Sequence, residues 1–195
     1  YTTNDKCEAS QKKILIAPSW QRDNILDICI EQILDSLLKE NYIVILRPHP
    51  QYVRHFGERL EYLNDKYQSY KNFTLQSDFS SDRTVFEADI LITDWSGIAY
   101  EYSFTTLKPT VYINTPMKIM NPDYEEIGIE PFDITVRNEV GIAVDIEDLS
   151  KLSEIMEEIS NNTDYNAEAI SKIRDRYLYN IGKSGYIGAD YIINR

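Results

Sequence analysis

The most informative segment of this chain is Ala88-Asp89-Ile90-Leu91-Ile92-Thr93-Asp94-Trp95-Ser96-Gly97. An apolar run ends there in a small polar turn, after which Ile98-Ala99-Tyr100-Glu101 opens a new segment. The pattern predicts a buried strand over 89–93 that passes through the turn into a helix over 97–106. The first N–H groups of such a helix lack partners within it, and the helix dipole adds positive charge. The turn therefore favours an anion, above all a phosphate.

The same alternation of strand and helix extends to both sides of this stretch. Short apolar runs predict further strands over 13–17, 42–46, 73–75, 109–113 and 141–145. Apolar residues at helical spacing predict helices over 26–38, 52–65, 81–87, 147–160, 164–180 and from 185 onward. This order predicts an α/β fold, a Rossmann-like parallel sheet with helices on both faces. We expect one domain over 13–195, preceded by a linker or fragment edge over 1–12.

Composition and missing motifs narrow the classes of function. The chain has 195 residues and a net charge of −12, which argues against a nucleic-acid partner. It has no apolar run long enough to span a membrane. It lacks a Gly-x-Gly-x-x-Gly motif, a Walker A motif and a clustered Cys/His set, so we expect neither a cofactor nor a bound metal.

Arg47-Pro48-His49-Pro50 is the second informative segment. Each proline restricts the residue before it to extended geometry, and in an extended backbone residues two apart point to the same side. Arg47 and His49 would then aim together, as a fixed cation and a titratable donor suited to a phosphate or diphosphate. The alternative is a rigid turn with a solvent-exposed arginine and a hydrogen-bonded histidine.

Polar residues follow the predicted strands directly, at positions Ser19, His49, Ser77, Asp94, Ser96 and Asn114. Because parallel strands end at the same edge of a sheet, these residues should converge on one rim, where ligands bind. Ser96 has the alternative explanation of an ordinary helix cap. Glu101 lies four residues after Gly97 and so shares its side of the helix. It is either a ribose-binding acid or a carboxylate placed favourably near the helix dipole.

Taken in order, these segments resemble the CDP-glycerol glycerophosphotransferase family of teichoic acid and capsule synthesis. The resemblance rests on Arg-Pro-His-Pro at 47–50, on 88–102 and on Leu-Lys-Pro-Thr-Val-Tyr-Ile at 107–113. Pro-Ser-Trp at 18–20 is similar to the family's Pro-Thr-Trp. The resemblance implies one half of a GT-B fold, the C-terminal half that binds the nucleotide donor. The acceptor-binding half would precede Tyr1.

The resemblance also implies roles for individual residues. His49 and Arg47 would be catalytic, by stabilising charge on the diphosphate. The donor-binding residues would be Ser19, Asp94, Ser96, Gly97, Glu101 and Asn114, with phosphate at Ser96 and the Gly97 amide and ribose at Glu101. The family turn is commonly Asp-Tyr-Ser-Ser, so Gly97 stands where a second hydroxyl is usual.

The leading hypothesis is transfer of glycerol phosphate, or a similar polyol phosphate, from CDP-glycerol or CDP-ribitol to a hydroxyl acceptor. The acceptor would be polymer- or lipid-linked, and CMP would leave. The general base would belong to the missing N-terminal half. We expect a cytoplasmic protein held at the inner face of the cell membrane by parts outside this chain. The alternatives are a GT-B glycosyltransferase or epimerase that uses a UDP-sugar, and a non-catalytic module.

Overall fold

Six parallel strands form one sheet in the computed structural model, which describes residues 11–119 and 121–194. The strands are β1 (Lys12–Ile16), β2 (Tyr42–Leu46), β3 (Phe73–Leu75), β4 (Ile90–Thr93), β5 (Thr110–Asn114) and β6 (Gly141–Asp145). Their order in the sheet is β3-β2-β1-β4-β5-β6. The predicted linker over 1–12 lies almost entirely outside the described residues, and Lys12 already belongs to β1.

Helices connect the strands and follow the last one. They are α1 (Ile25–Ile28), α2 (Ile30–Leu37), α3 (Pro50–His55), α4 (Gly57–Tyr67), α5 (Arg83–Glu87), α6 (Ile98–Thr106), α7 (Phe132–Thr135), α8 (Leu152–Asn161), α9 (Ala167–Tyr177) and α10 (Ser184–Ile193). Short 3-10 segments cover Tyr124–Ile127, Ile146–Lys151 and Thr163–Tyr165. Within the described ranges, none of these helices combines the length and apolarity needed to cross a bilayer.

The sheet is covered on both faces because its central strands β1 and β4 each carry three consecutive apolar residues, at 14–16 and 90–92. Ile14 and Ile16 of β1 belong to one core cluster, with residues of α1, α2, α4 and α8. Leu15, between them, belongs to a second cluster that includes residues of α6 and α9. Alternate residues of a strand point to opposite faces, so one short run contributes to both cores. The predicted α/β fold with helices on both faces is confirmed.

Two helices predicted as continuous are broken in the structure. The prediction over 26–38 is wrong at Cys29, whose φ of −142° and ψ of 8° separate α1 from α2. The prediction over 52–65 is wrong at Phe56, where φ is −130° and ψ is 42°. Apolar spacing continues across both breaks and no proline marks them, so periodicity alone does not reveal them. The stretch 114–135, to which the apolar pattern assigns no strand or helix, contains α7 and a 3-10 turn.

The pairing of β5 with β6 depends on Gly141. A Cβ atom at this position would lie 1.7 Å from the carbonyl oxygen of Thr110, an atom of the neighbouring backbone. Glycine has no Cβ, so the two strands approach in the register that pairs Thr110 with Gly141. This edge of the sheet positions the segment between β5 and β6, which forms one wall of the site described below.

The order of the strands creates a crevice between β1 and β4. From β1 the chain continues to β2 and β3 on one side, whereas β5 and β6 lie on the other side, next to β4. The connections after β1 and β4 therefore run in opposite directions and leave a gap at the carboxyl ends of these strands. In open parallel sheets this switch point is where ligands bind.

Candidate functional site

The turn after β4 leaves its backbone donors free. Gly97 is the residue that precedes α6, and no side chain caps this helix. The capping explanation for Ser96 is therefore wrong. Ala99 N–H donates to the Ser96 carbonyl, but the N–H groups of Ser96, Gly97 and Ile98 have no acceptor among the described residues. Together with the helix dipole, they form an anion-binding position.

A cavity of about 320 Å³ opens beside this turn, and we call it the β4 cavity. The turn 94–97 and Tyr100 form one wall, and residues from 117–119 and 121–137 form the other. Apolar and aromatic side chains dominate the lining, with Lys118 and Asn121 among the polar groups. Its size and character match a site for a small organic molecule, since such sites measure about 300–1,000 Å³.

A second cavity, of about 260 Å³, lies on the other side of Ser96. We call it the histidine cavity, because Arg47-Pro48-His49-Pro50 lines it together with residues from the ends of β1 and α6 and from the loop after β3. Ser96 lines both cavities. The free N–H groups at the start of α6 thus lie where the two spaces meet.

His49 is held in a defined orientation and tautomer. Its Nδ1 accepts a hydrogen bond of 3.1 Å from the Gln51 N–H, so in the neutral ring Nε2 carries the hydrogen. The ring stacks on Trp20 at a centroid distance of 6.1 Å and an interplanar angle of 19°. Burial lowers the pKa of His49, and the positive charge of Lys118 lowers it further. At neutral pH His49 is therefore an uncharged donor through Nε2.

Arg47 lines the same cavity as His49, but its guanidinium is already bonded. It donates to the Ser81 carbonyl and Thr84 Oγ1 at 3.1 Å and to Asp82 Oδ1 at 2.8 Å. Only 9% of the residue is exposed. The alternative of a solvent-exposed arginine is therefore wrong. The two residues share a cavity, yet the charge of Arg47 is paired with Asp82 and anchors the loop before α5.

Asp94 and Ser19 are joined to each other in the interior. The buried Asp94 carboxylate accepts N–H groups from Ser19 at 2.7 Å and from Ile25 at 3.2 Å. These bonds tie the end of β4 to the connection after β1. The Ser19 hydroxyl is buried without a hydrogen-bond partner among the described residues. Asp94 also lines the β4 cavity, whereas Ser19 lines neither of the two cavities.

Asn114 and Glu101 do not reach the cavities. Asn114 at the end of β5 donates to Asp145 Oδ1 at 2.6 Å and accepts from Arg137 Nη2 at 2.9 Å. Glu101 is exposed and lines neither cavity. Tyr100 is the residue of α6 that lines the β4 cavity, and its hydroxyl donates to the Asp133 carbonyl at 2.7 Å.

The residue that sequence reasoning missed is Arg137, which lines the β4 cavity. It follows α7, is 4% exposed and lies over the Trp95 ring at 3.9 Å from the centroid. No motif marks this arginine in the sequence, and the fold alone brings it to Trp95 and Asp94 of the turn after β4. Among the described residues no group of three or more His, Cys, Asp or Glu side chains is placed to hold a metal ion.

A family model described as CDP-Glycerol:Poly(glycerophosphate) glycerophosphotransferase matches residues 4–185. The chain belongs to this family. The resemblance found in the sequence is thereby confirmed. This glycerophosphotransferase-family chain is also 28% identical over 120 residues to the teichoic acid glycerol-phosphate primase of Bacillus subtilis (strain 168). The match covers 60% of the chain but only 29% of that relative.

Solved structures show the fold of this glycerophosphotransferase-family chain. The C-terminal domain of the group 1 glycosyl transferase LpcC from Francisella tularensis matches with a TM-score of 0.52 at 12% identity, over 85% of both chains. The glycosyltransferase SnogD from Streptomyces nogalater matches with a TM-score of 0.55 at 11% identity, over 86% of this chain and 39% of that one. These likenesses confirm the expected GT-B type of fold.

Proposed function

We propose that this chain is the donor-binding domain of a transferase that moves glycerol phosphate, or a similar polyol phosphate, from a CDP-linked donor to a hydroxyl acceptor. The proposal rests mainly on Ser96, which lines both cavities beside the free N–H groups of α6. A donor with its nucleoside in the β4 cavity and its polyol in the histidine cavity would place its diphosphate at this position. Membership of the family favours CDP-glycerol as that donor. We keep CDP-ribitol as the second possible donor, since it differs only in the polyol.

The reaction follows from this placement. The acceptor hydroxyl attacks the phosphorus that carries the polyol, the bond from that phosphorus to the bridging oxygen breaks, and CMP leaves with the bonding electrons. His49 lines the cavity on the polyol side and donates through Nε2 to a diphosphate oxygen, where negative charge develops. The proton of the acceptor hydroxyl goes to a general base. We assign this base to the acceptor-binding half.

An additional half of the protein is part of the proposal. The chain spans 29% of the curated relative and 39% of SnogD. The exposed surface of α10 supports it, since Tyr186, Ile192 and Ile193 are each between 77% and 79% exposed. Apolar surface of this kind marks an interaction site. The other half would carry the polymer- or lipid-linked acceptor, and parts outside this chain would hold the enzyme at the inner face of the cell membrane.

One observation favours a second candidate, a domain that binds a UDP-linked sugar. The S. aureus MnaA–UDP co-structure matches this chain with a TM-score of 0.50 at 11% identity, over 83% of this chain and 40% of that one. The N–H groups at the start of α6 would bind the diphosphate of a UDP-linked donor equally well. The base that occupies the β4 cavity therefore distinguishes the two functions.

Thermal unfolding of the full chain with a panel of nucleotides tests the proposal. A ligand at 100 times its Kd adds about 2.7 kcal/mol to the free energy of unfolding. We expect CDP-glycerol or CDP-ribitol to raise Tm most and CDP to raise it more than ADP, the matched control. Stabilisation by UDP-sugars alone would support the second candidate. Equal shifts with CDP and ADP would contradict the proposal.

A further inference from the structure

Arg137 carries a buried charge whose hydrogen-bonding capacity is only partly used. Nη2 donates to the Ile113 carbonyl at 3.3 Å and to Asn114 Oδ1 at 2.9 Å. Nε and Nη1 are buried and have no partner among the described residues. The guanidinium carbon lies over two aromatic rings, 3.9 Å from the Trp95 centroid and 4.7 Å from that of Tyr112.

No described carboxylate forms an ion pair with this guanidinium. Asp94 is the acidic group that acts on it through space, but both oxygens of Asp94 accept backbone N–H groups instead. Burial lowers the pKa of Arg137, yet arginine stays charged in proteins. Asp94 compensates this buried charge only through space, and Nε and Nη1 have no hydrogen-bond partner among the described residues, so an anion in the adjoining cavity would stabilise the cation further.

The position of Arg137 indicates which part of a donor it acts on. Nε and Nη1 are covered by protein, so they are not available for direct hydrogen bonds to a neutral nucleobase. Charge acts across several ångströms in a poorly solvated site and needs no such contact. Trp95, on which Arg137 lies, precedes Ser96 and the free N–H groups of the turn. An anion at the start of α6 is therefore the group that this charge favours.

We infer that Arg137 is a specificity-determining residue of the donor site, whose buried charge makes the site select nucleoside diphosphates over uncharged nucleosides. The inference rests on the proposed binding of a nucleotide-linked donor. It also gives Asn114 a role, since this side chain links Arg137 to Asp145 and holds the guanidinium in place. Asn114 is then a positioning residue and does not contact the donor.

Calorimetric titration of the full chain with CDP, cytidine, UDP and uridine tests the inference. R137M removes the charge, whereas R137K keeps it. We expect R137M to weaken CDP binding about tenfold or more and cytidine binding less than about threefold, because only CDP carries charge. R137K should stay within about threefold of the wild type for both ligands.

K118M is the matched control, because Lys118 is an exposed cation that lines the same cavity. Its effect on CDP binding should disappear at about 0.5 M salt, whereas the effect of R137M should persist, since buried charges are screened far less. Melting temperatures of all variants show whether each of them folds.

Three results would overturn the inference. The first is an equal loss of affinity for CDP and cytidine in R137M, and the second is a loss of CDP affinity in R137K as large as in R137M. The third is a wild type that binds neither CDP more tightly than cytidine nor UDP more tightly than uridine. A wild type that prefers UDP to CDP, with the selective loss in R137M seen for UDP, contradicts the proposed function but supports the inference. The two failures are therefore distinguishable.

Discussion

At the scale of the residue, His49 combines three local constraints. Pro50 occupies the first turn of α3, His49 caps that helix through Nδ1, and Trp20 stacks on the ring. A histidine held this way presents one nitrogen, Nε2, and cannot exchange tautomers without losing its cap. Such a group is preorganised to stabilise developing charge, the arrangement from which enzymes obtain much of their rate.

We expect H49Q to lower the transfer rate of the full-length enzyme about 100- to 1,000-fold while the KM for the donor changes little, because the lost interaction strengthens in the transition state. Steady-state kinetics with CDP-glycerol measures this. H55Q is the control, since His55 stacks on the same Trp20 at 5.8 Å but does not line the histidine cavity. Unchanged activity in H49Q would favour the non-catalytic module.

The lowered pKa of His49 also predicts how stability varies with pH. The unfolded histidine titrates near 6.5, whereas the folded one titrates lower because burial disfavours its charged form. As pH falls below about 6.5 the unfolded state takes up the proton first, so the free energy of unfolding decreases until the folded pKa is passed. Urea titrations at pH 7.5 and 5.5 measure this decrease in the free energy of unfolding. H49Q should lose the part of the decrease that is due to His49, whereas H55Q should keep it. An identical drop in H49Q and wild type would contradict the assignment.

At the scale of the element, the site depends on the join between β4 and the connection after β1. The Asp94 carboxylate makes this join through the N–H groups of Ser19 and Ile25. It fixes the end of β4, and with it the turn that opens α6. The residue that sequence reasoning assigned to the donor thus holds the framework around the donor position.

D94N should therefore reduce the free energy of unfolding by about 1–3 kcal/mol, because the asparagine amide accepts through one oxygen only and one buried N–H loses its partner. Urea unfolding measures the change. D133N is the matched control, since Asp133 lines the same cavity but has an exposed side chain without a hydrogen bond among the described residues. If D94N kept full stability yet lost CDP binding, a direct contact with the donor would explain the residue better.

At the scale of the whole molecule, the chain carries the start of α6, both cavities and the histidine, but no residue that we assign as the general base. Its net charge of −12 leaves the N–H groups of α6, Lys118 and Arg137 as locally positive features around the β4 cavity. In our proposal this domain binds the donor, and the acceptor-binding half activates the acceptor. The division has a direct consequence for the isolated chain.

We expect the isolated chain to bind CDP but to transfer glycerol phosphate at least about 100-fold more slowly than the full-length enzyme, since a general base contributes about 10²–10⁴-fold. Parallel assays of binding and transfer on the same preparation measure this. Heat-denatured chain is the control for background transfer. Transfer at the full rate would show that the chain holds its own base and would contradict the two-part mechanism.

Much of the fold follows from runs of adjacent residues. The strands Tyr42–Leu46, Phe73–Leu75 and Gly141–Asp145 lie where the apolar runs predicted them, and α6 begins within one residue of its prediction. The breaks at Cys29 and Phe56 were not predictable in this way, because apolar side chains continue at helical spacing on both sides of them.

The contacts that shape the site join residues far apart in the chain. Arg47 and Asp82 are 35 positions apart, and Asp94 and Ser19 are 75 apart. Local pattern determines that a strand ends in Asp-Trp-Ser-Gly and that Arg-Pro-His-Pro is stiff and extended. The order of the strands in the sheet brings these loops together. It therefore decides whether Arg47 is free or paired and which cation lies beside the turn after β4. Arg137 cannot be recognised as a site residue from the sequence, because only the fold brings its charge next to the aromatic rings and the unpaired N–H groups.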